Sequence, residues 1–310
     1  MGAFLTVCMN PTLQKTLCFS SIVPGQVNRT DRHRLDASGK GINVTRVLCQ
    51  LGKTATHLTQ LGGELRPFFL ALCKKDGLEI EWVESAGAVR FCYTLISGDR
   101  STEITELVEE GEQVDAPAEE RFLKKYKTLL PSFGTVIFSG AKARGFSDNL
   151  VPLMVCLARE RGARIILDMR GSDLVKSLPY CPDIIKPNLF EFTGTFAPEL
   201  KKLGELSGDE EGVKDRVREI ALELAERHHC RIILSRGSRP LWYCGGGGFE
   251  EFPVKKIPAV NTVNTIGSGD AFTAGLASAL DEGLDFRGAL EAGTRCGAAN
   301  ARLLKPGVII

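Results

Sequence analysis

The strongest constraint in this chain is a series of short runs that are apolar at every position. Val136-Ile137-Phe138 and Ile165-Ile166-Leu167 show no alternation of polar and apolar residues. A strand with one wet face alternates, whereas a strand apolar throughout must be covered on both faces. These runs sit in a strict succession: Thr135–Ser139, Asn149–Arg161, Arg164–Asp168, Ser172–Leu178, Asp183–Lys186, Asn188–Thr193, Gly212–His228 and Arg231–Ser235 read strand, helix, strand, helix and onward. Alternation of that kind predicts an α/β fold: a doubly wound, mostly parallel sheet with helices on both faces.

The N-terminal part adds Phe4–Met9 as a strand stopped by Asn10-Pro11, and a helix over Ile42–Leu51 with Val44, Val47, Leu48 and Leu51 on one face. Thr54–Leu61 and Glu79–Val83 read as strands, and Leu65–Lys74 and Pro117–Leu130 as helices. Gln26–Leu35 is polar and extended. Arg90–Ser97 and Ser101–Leu107 read as a hairpin about Gly98-Asp99-Arg100. The stretches near 15–37 and 88–108 are expected to pair as a small β-sheet lid over the body. A further hairpin is expected about Gly245–Gly248, and closing helices over Ala271–Asp281 and Phe286–Leu304. No repeat or linker appears, so residues 1–310 read as one domain.

A net charge of +1 gives no field for nucleic acid or membrane, and no apolar run approaches ~18 residues. The ten cysteines include no Cys-x-x-Cys pair, and only four histidines are present, which argues against zinc. Cysteines among apolar neighbours read as free thiols of a reduced, cytoplasmic protein. Walker A, G-x-G-x-x-G and G-x-S-x-G patterns are absent.

Chemistry concentrates in Asn261–Leu280. Ile266-Gly267-Ser268-Gly269 runs into a helix-like segment, uncharged from Ala271 to Leu280, whose first turn holds Asp270. Free amides and the positive end of a helix dipole meet there, so glycine backbone at Gly267, Ser268 and Gly269 can hold a phosphate. Asp270 beside it can take a proton from an attacking hydroxyl, which suggests phosphoryl transfer to an alcohol; the simpler alternative is that Asp270 only caps the helix. Ser38-Gly39-Lys40-Gly41-Ile42-Asn43 is a loop-to-helix junction able to grip a hydroxylated anion, or a plain turn. Asn188 and Glu191 have capping-box spacing, and Glu191 can also hold a water of bound Mg²⁺. Ser235-Arg236-Gly237 closes a strand at the edge where such sheets bind ligands.

Taken together these stretches resemble the PfkB (ribokinase-like) carbohydrate kinases, in particular the phosphosugar branch with tagatose-6-phosphate kinase and 1-phosphofructokinase. The resemblance rests on Met9-Asn10-Pro11-Thr12-Leu13, Val27-Asn28-Arg29, Ser38 to Leu48, Thr102 to Glu106, Lys186-Pro187-Asn188 with Glu191, and Asn264 to Asp270. It implies ATP and Mg²⁺ as cofactors and a phosphorylated ketohexose as substrate. The lid strands are polar, carry exposed edges and lack a core of their own, so the lids of two subunits are expected to pair in a homodimer. The resemblance implies Asp270 as base and Gly267–Gly269 as anion hole. Asn188, Glu191, Ser235, Gly237, Thr265 and Asn300 fall on the nucleotide side, with Glu191 on the metal through water. Gln14, Gly39, Lys40, Asn43, Arg90 and Ser139 fall on the sugar side.

Two departures bear on the substrate. Gln14 stands where the branch carries Asp, and Ser139-Gly140-Ala141-Lys142-Ala143-Arg144-Gly145 replaces Ser-Gly-Ser-Leu-Pro-x-Gly. Lys142 and Arg144 are expected to join Lys40 and Arg90 around the sugar. A kinase for another sugar or a nucleoside, and a non-catalytic sugar-phosphate or nucleotide sensor, are the alternatives on the same fold.

Overall fold

The computed structural model describes residues 2–98, 103–200, 210–254 and 257–310. Thr102 and the residues Asp99-Arg100-Ser101 of the expected hairpin lie outside these. Its main sheet contains β1 (Phe4–Val7), β4 (Ala55–Leu61), β5 (Glu79–Glu84), β8 (Thr135–Ser139), β9 (Arg164–Asp168), β10 (Ile184–Ile185), β11 (Arg231–Arg236), β12 (Arg239–Cys244) and β13 (Phe249–Phe252). The order is β13-β12-β11-β10-β9-β8-β1-β4-β5, parallel from β11 to β5, with β12 and β13 antiparallel at one edge.

The doubly apolar strands do what their composition demands. Val136, Phe138, Ile165 and Leu167 pack to one side, against α3 (Ala116–Leu129), α4 (Leu150–Glu160) and α7 (Glu210–His228). Ile137 and Ile166 pack to the other, against α1 (Lys40–Gln50), α8 (Ser268–Asp281) and α9 (Phe286–Ala301). Burying each such side chain is worth about 1.5–3 kcal/mol, so a charge introduced on either face of β8 or β9 meets a core.

A second sheet runs β3-β2-β6-β7, from β2 (Thr12–Phe19), β3 (His33–Ser38), β6 (Arg90–Ser97) and β7 (Glu103–Val108). The expected pairing of the two distant stretches is therefore present: β2 and β6 run parallel from Thr12↔Arg90 to Phe19↔Ser97. Two boundaries differ from the sequence reading. The first strand ends at Val7 rather than Met9, and directly after Asn10-Pro11 the chain enters β2 of the second sheet. The expected strand Gln26–Leu35 shifts to His33–Ser38, because Ala37 and Ser38 pair with Leu13 and Thr12, whereas Asn28 folds its side chain back onto Val23 and Gln26.

Three features gather at one end. β9 finishes on Asp168, β10 runs into Lys186, and β3 delivers Gly39-Lys40 to the start of α1. α8 begins at Ser268 rather than Ala271, so the Gly-Ser-Gly turn and Asp270 form its first turn.

Candidate active site

Gly267 makes the start of α8. Its φ of 85° is left-handed, and a Cβ there would sit 2.7 Å from the Gly307 amide nitrogen, so both backbone and space require glycine. The Ser268 amide donates to the Thr265 carbonyl (3.1 Å), and Ala271 opens the intrahelical bonds by donating to Gly267. Helix geometry leaves the intervening Gly269 and Asp270 amides at the positive end of the dipole.

Asp270 is buried (6% exposed), and its Oδ2 accepts from Asn43 Nδ2 at 2.8 Å. Burial first, and then the nearby Asp168 carboxylate, push its carboxyl up to about 6; Lys40, Asn43 and Lys186 pull the other way. Asp168 moves in the opposite sense. Burial alone would raise it, but Lys186 (3.1 Å) and Lys40 (3.5 Å) hold it below the usual carboxylate range. Two adjacent carboxyls driven apart is the arrangement by which one stays a fixed charge and the other exchanges a proton. Asp168 and Lys186 carry no role in the sequence reading; the signal available was their place at the carboxyl ends of successive parallel strands.

Lys40 reaches Glu191 Oε1 (3.0 Å) as well as Asp168. Burial opposes its charge, and Asp168, Glu191 and Asp270 outweigh that, so the ammonium is firmly retained. Asn188 and Glu191 form the full capping box of α6 (Leu189–Phe196): Asn188 Oδ1 accepts from the Glu191 amide (2.7 Å) and Glu191 Oε2 from the Asn188 amide (2.9 Å). Capping leaves Glu191 Oε1 facing Lys40, so cap and cleft residue are one and the same.

A cleft of about 430 Å³ runs through these groups, a size suited to a small ligand. Gln14, Gly39, Lys40, Asn43 and Arg90 line it together with Asn188, Glu191, Ser235, Thr265, Gly267 and Gly269, and so do Asp270, Asp168 and Lys186. Glu106 of the lid, part of the run that carries the resemblance but without a site role in the sequence reading, also lines it. Gln14 donates to Thr94 of the lid at 2.5 Å. Arg90 donates to the Glu109 carbonyl (2.6 Å), and its buried Nε has no hydrogen-bond partner among the described residues.

Several expected site residues lie off the cleft wall. Asn300 is fully buried, and its amide is used up: Nδ2 donates to the Ile266 carbonyl (2.9 Å) and Ser268 Oγ (3.2 Å), while Oδ1 accepts from Gly307 (2.8 Å) and Val308 (3.3 Å). It buttresses the anion-hole turn and has no capacity left for an adenine. The Ser268 hydroxyl is thus taken by Asn300 and its amide by the Thr265 carbonyl. Gly237 is an exposed turn residue with φ 64°, and Ser139 is buried beneath the wall with an unpartnered Oγ. Lys142 is turned onto Asp173 (2.5 Å) and Asp148 (3.1 Å), and Arg144 is exposed, so neither joins Lys40 and Arg90. Of the four expected cations, Lys40 and Arg90 line the cleft and Lys142 and Arg144 do not, and Lys40 and Lys142 are each paired with two carboxylates.

The model of the pfkB family carbohydrate kinases matches residues 9–308. The chain belongs to the pfkB family of carbohydrate kinases. It is an ATP-dependent sugar kinase. A protein described as a possible 1-phosphofructokinase from Thermotoga maritima has the same fold, with a TM-score of 0.85 at 23% identity over 98% of this chain and 93% of that one. Phosphofructokinase-2 from Escherichia coli, in a structure with potassium, gives 0.80 at 19% identity over 98% and 94%. Ribokinase from Thermotoga maritima gives 0.69 at 17% identity over 99% and 95%. Among the described residues, no helix of this kinase is long and apolar enough to cross a membrane.

Proposed function

We propose that this kinase transfers the γ-phosphoryl group of ATP to a hydroxyl of a phosphorylated ketohexose of the fructose 1-phosphate, fructose 6-phosphate or tagatose 6-phosphate type. The acceptor oxygen forms the new P–O bond as the bond to ADP breaks, and Asp270 takes the hydroxyl proton. The Gly269 and Asp270 amides, at the start of α8, face the charge of the moving group. Lys40 and Lys186, fixed by Asp168, add positive charge without moving. Asn188, Glu191, Ser235 and Thr265 line the same cleft, which supports reading them as the nucleotide side.

The observation that carries the phosphosugar reading is Arg90: it lines the cleft, and its buried Nε has no partner among the described residues. A buried guanidinium edge left unpaired is costly, and a phosphate satisfies it with two parallel bonds. The names of the fold neighbours, two of them phosphofructokinases, point the same way.

Mg²⁺ fits the site in one manner. Among the described residues no group of three His, Cys, Asp or Glu could chelate a metal, and one Glu191 oxygen is committed to its cap. Asn188 and Glu191 would therefore hold Mg²⁺ through its waters, where it would neutralise the triphosphate.

The lid's outer strand supports a dimer of this chain. β7 is exposed along most of its length, with Leu107 and Val108 each about half exposed, and the edges of the small sheet are open. One neighbour is described as a tetrameric inhibited form, and that is a property of phosphofructokinase-2 from Escherichia coli. Sedimentation of a strict monomer would remove the dimer from this reading. The substrate reading is tested by coupled ADP release with fructose 1-phosphate, fructose 6-phosphate, tagatose 6-phosphate, ribose and free fructose. A preference by kcat/KM for an unphosphorylated sugar would overturn it, and ATP binding without turnover on any of them would favour a sensor.

A further inference from the structure

Arg46 lies one turn after Asn43 on α1, is 3% exposed, and does not line the cleft. Its guanidinium reaches four parts of the chain. Nε donates to Asp76 Oδ2 (2.9 Å), just after α2 (Arg66–Lys75); Nη1 donates to Asn43 Oδ1 (3.0 Å) and to the Pro306 carbonyl (3.1 Å); Nη2 donates to the Ala37 carbonyl (2.6 Å) at the foot of the lid. Asp76 is fixed in turn by an ion pair with Lys305.

The contact with Asn43 has a consequence at the base. An asparagine amide carries an oxygen acceptor and an NH₂ donor of similar size, and only its neighbours decide which way it points. A guanidinium offers donors alone, so Arg46 demands the oxygen on its side. Ser38 Oγ, 3.2 Å from the same oxygen, agrees. The NH₂ is thereby aimed at Asp270, to which it donates at 2.8 Å. Turned the other way, the amide oxygen would face a carboxylate and repel it.

We infer that Arg46 is a positioning residue of the phosphoryl-transfer site, acting on Asp270 through the orientation of Asn43. This rests on the reading of Asp270 as the base. The charged or titratable groups facing Asp270 are Asp168 at the end of β9, Lys186 after β10, Lys40 on α1 and the Cys8 thiol, which burial pushes up and so keeps neutral, with Asn43 as the hydrogen-bond donor of Asp270. Asp168 opposes ionisation and the two lysines and Asn43 favour it, so losing the Asn43 donor shifts the balance toward the protonated, inactive carboxyl. The pairing also explains why a fully desolvated arginine is kept in a helix interior. Its contacts join the lid foot, the C-terminal segment beneath Gly267 and the base into one rigid unit.

The test uses Arg46→Lys, which keeps the charge but loses the planar fork, with Arg46→Met beside it. Turnover is followed over pH with the best of fructose 1-phosphate, fructose 6-phosphate and tagatose 6-phosphate. We expect kcat to fall roughly 10–100-fold, the value of one charge-assisted hydrogen bond. The acid limb of kcat should move to higher pH, and KM for sugar and ATP should stay within about three-fold. A purely structural Arg46 would lower the melting temperature and leave the acid limb in place, which overturns the inference. Titration of the Asp270 carboxyl by ¹³C NMR, assigned by its loss in Asp270→Asn, gives a readout free of turnover. An unchanged Asp270 titration in Arg46→Lys overturns the inference even in an active enzyme. A shifted titration in a protein inactive on all three sugars upholds Arg46 and sinks the functional reading alone.

Discussion

Lys186 Nζ and Asp168 Oδ2 meet at 3.1 Å with both side chains almost sealed from water, 3% and 2% exposed. Thr273 donates to the same oxygen at 3.0 Å. Buried pairs of this kind add little net stability, since desolvation consumes most of the attraction. What the pair does is keep Asp168 ionised next to Asp270. Asp270 must then lose its proton against a standing negative charge, in a site that already penalises charge by burial.

This sets the pH dependence of the enzyme. A base works only when deprotonated, so kcat should rise with pH through about 6, the value to which Asp270 is pushed. Replacing Asp168 by Asn removes the opposing charge and frees two lysines, so the acid limb should move to lower pH. Rate measurements from pH 4.5 to 8.5 on both proteins decide it. A limb that stays put in Asp168→Asn would show that the two carboxyls do not interact.

Asp270→Asn should nearly abolish turnover, by roughly 10²–10⁴-fold, while nucleotide affinity stays within a few-fold. The same change should stabilise the fold at pH 7.5. The folded protein keeps the Asp270 proton to about pH 6, against a usual 3.8, so its stability falls as pH rises between those values and the cost is complete above them. At 1.36 kcal/mol per unit the shift is worth at most about 3 kcal/mol. Asn is neutral and can still accept from Asn43. A melting temperature that drops at pH 7.5 would contradict this account, as would retained activity.

The sequence made the fold legible because its strands carry apolar residues on both faces, a pattern with few solutions. The Gly267-Ser268-Gly269-Asp270 turn was legible for a similar reason: glycine, dipole and carboxylate coincide within four residues. Less visible was whatever depends on which direction a side chain turns. Lys142 and Arg144 read as cleft cations by position, yet Lys142 has Asp148 and Asp173 to turn to. Asn300 read as a nucleotide contact, and its partners come from two other segments of the chain. Asp168 does not stand out in the sequence because an aspartate ending a strand is common, and its importance arises from Lys40 and Lys186, which only the fold brings near.

Arg90 and Lys142 should separate cleanly. Arg90→Ala should raise KM for the phosphosugar roughly 10–100-fold, as expected for lost bonds to a charged group, with KM for ATP nearly unchanged. Lys142→Ala should leave both within about two-fold, because its partners lie outside the cleft. Steady-state kinetics on the two variants checks this; equal effects from both would restore Lys142 to the sugar site.

Asn300 gives the sharpest separation between buttress and ligand contact. Its four hydrogen bonds hold Ile266, Ser268, Gly307 and Val308 together, and Gly267 lies against Gly307 with no room for a Cβ. Asn300→Ala leaves buried backbone groups unpaired, each costing about 1–3 kcal/mol. Asn300→Asp still accepts from Gly307 and Val308 but cannot donate to the Ile266 carbonyl. Both variants should therefore melt lower, with Ala the worse. Both should also lose kcat, because the amides that face the moving phosphoryl group sit on the loosened turn. KM for ATP should change little, since no atom of Asn300 is free to touch the base. Differential scanning calorimetry and steady-state rates measure these effects together. A variant with unchanged melting temperature and a large rise in KM for ATP would return Asn300 to the nucleotide site.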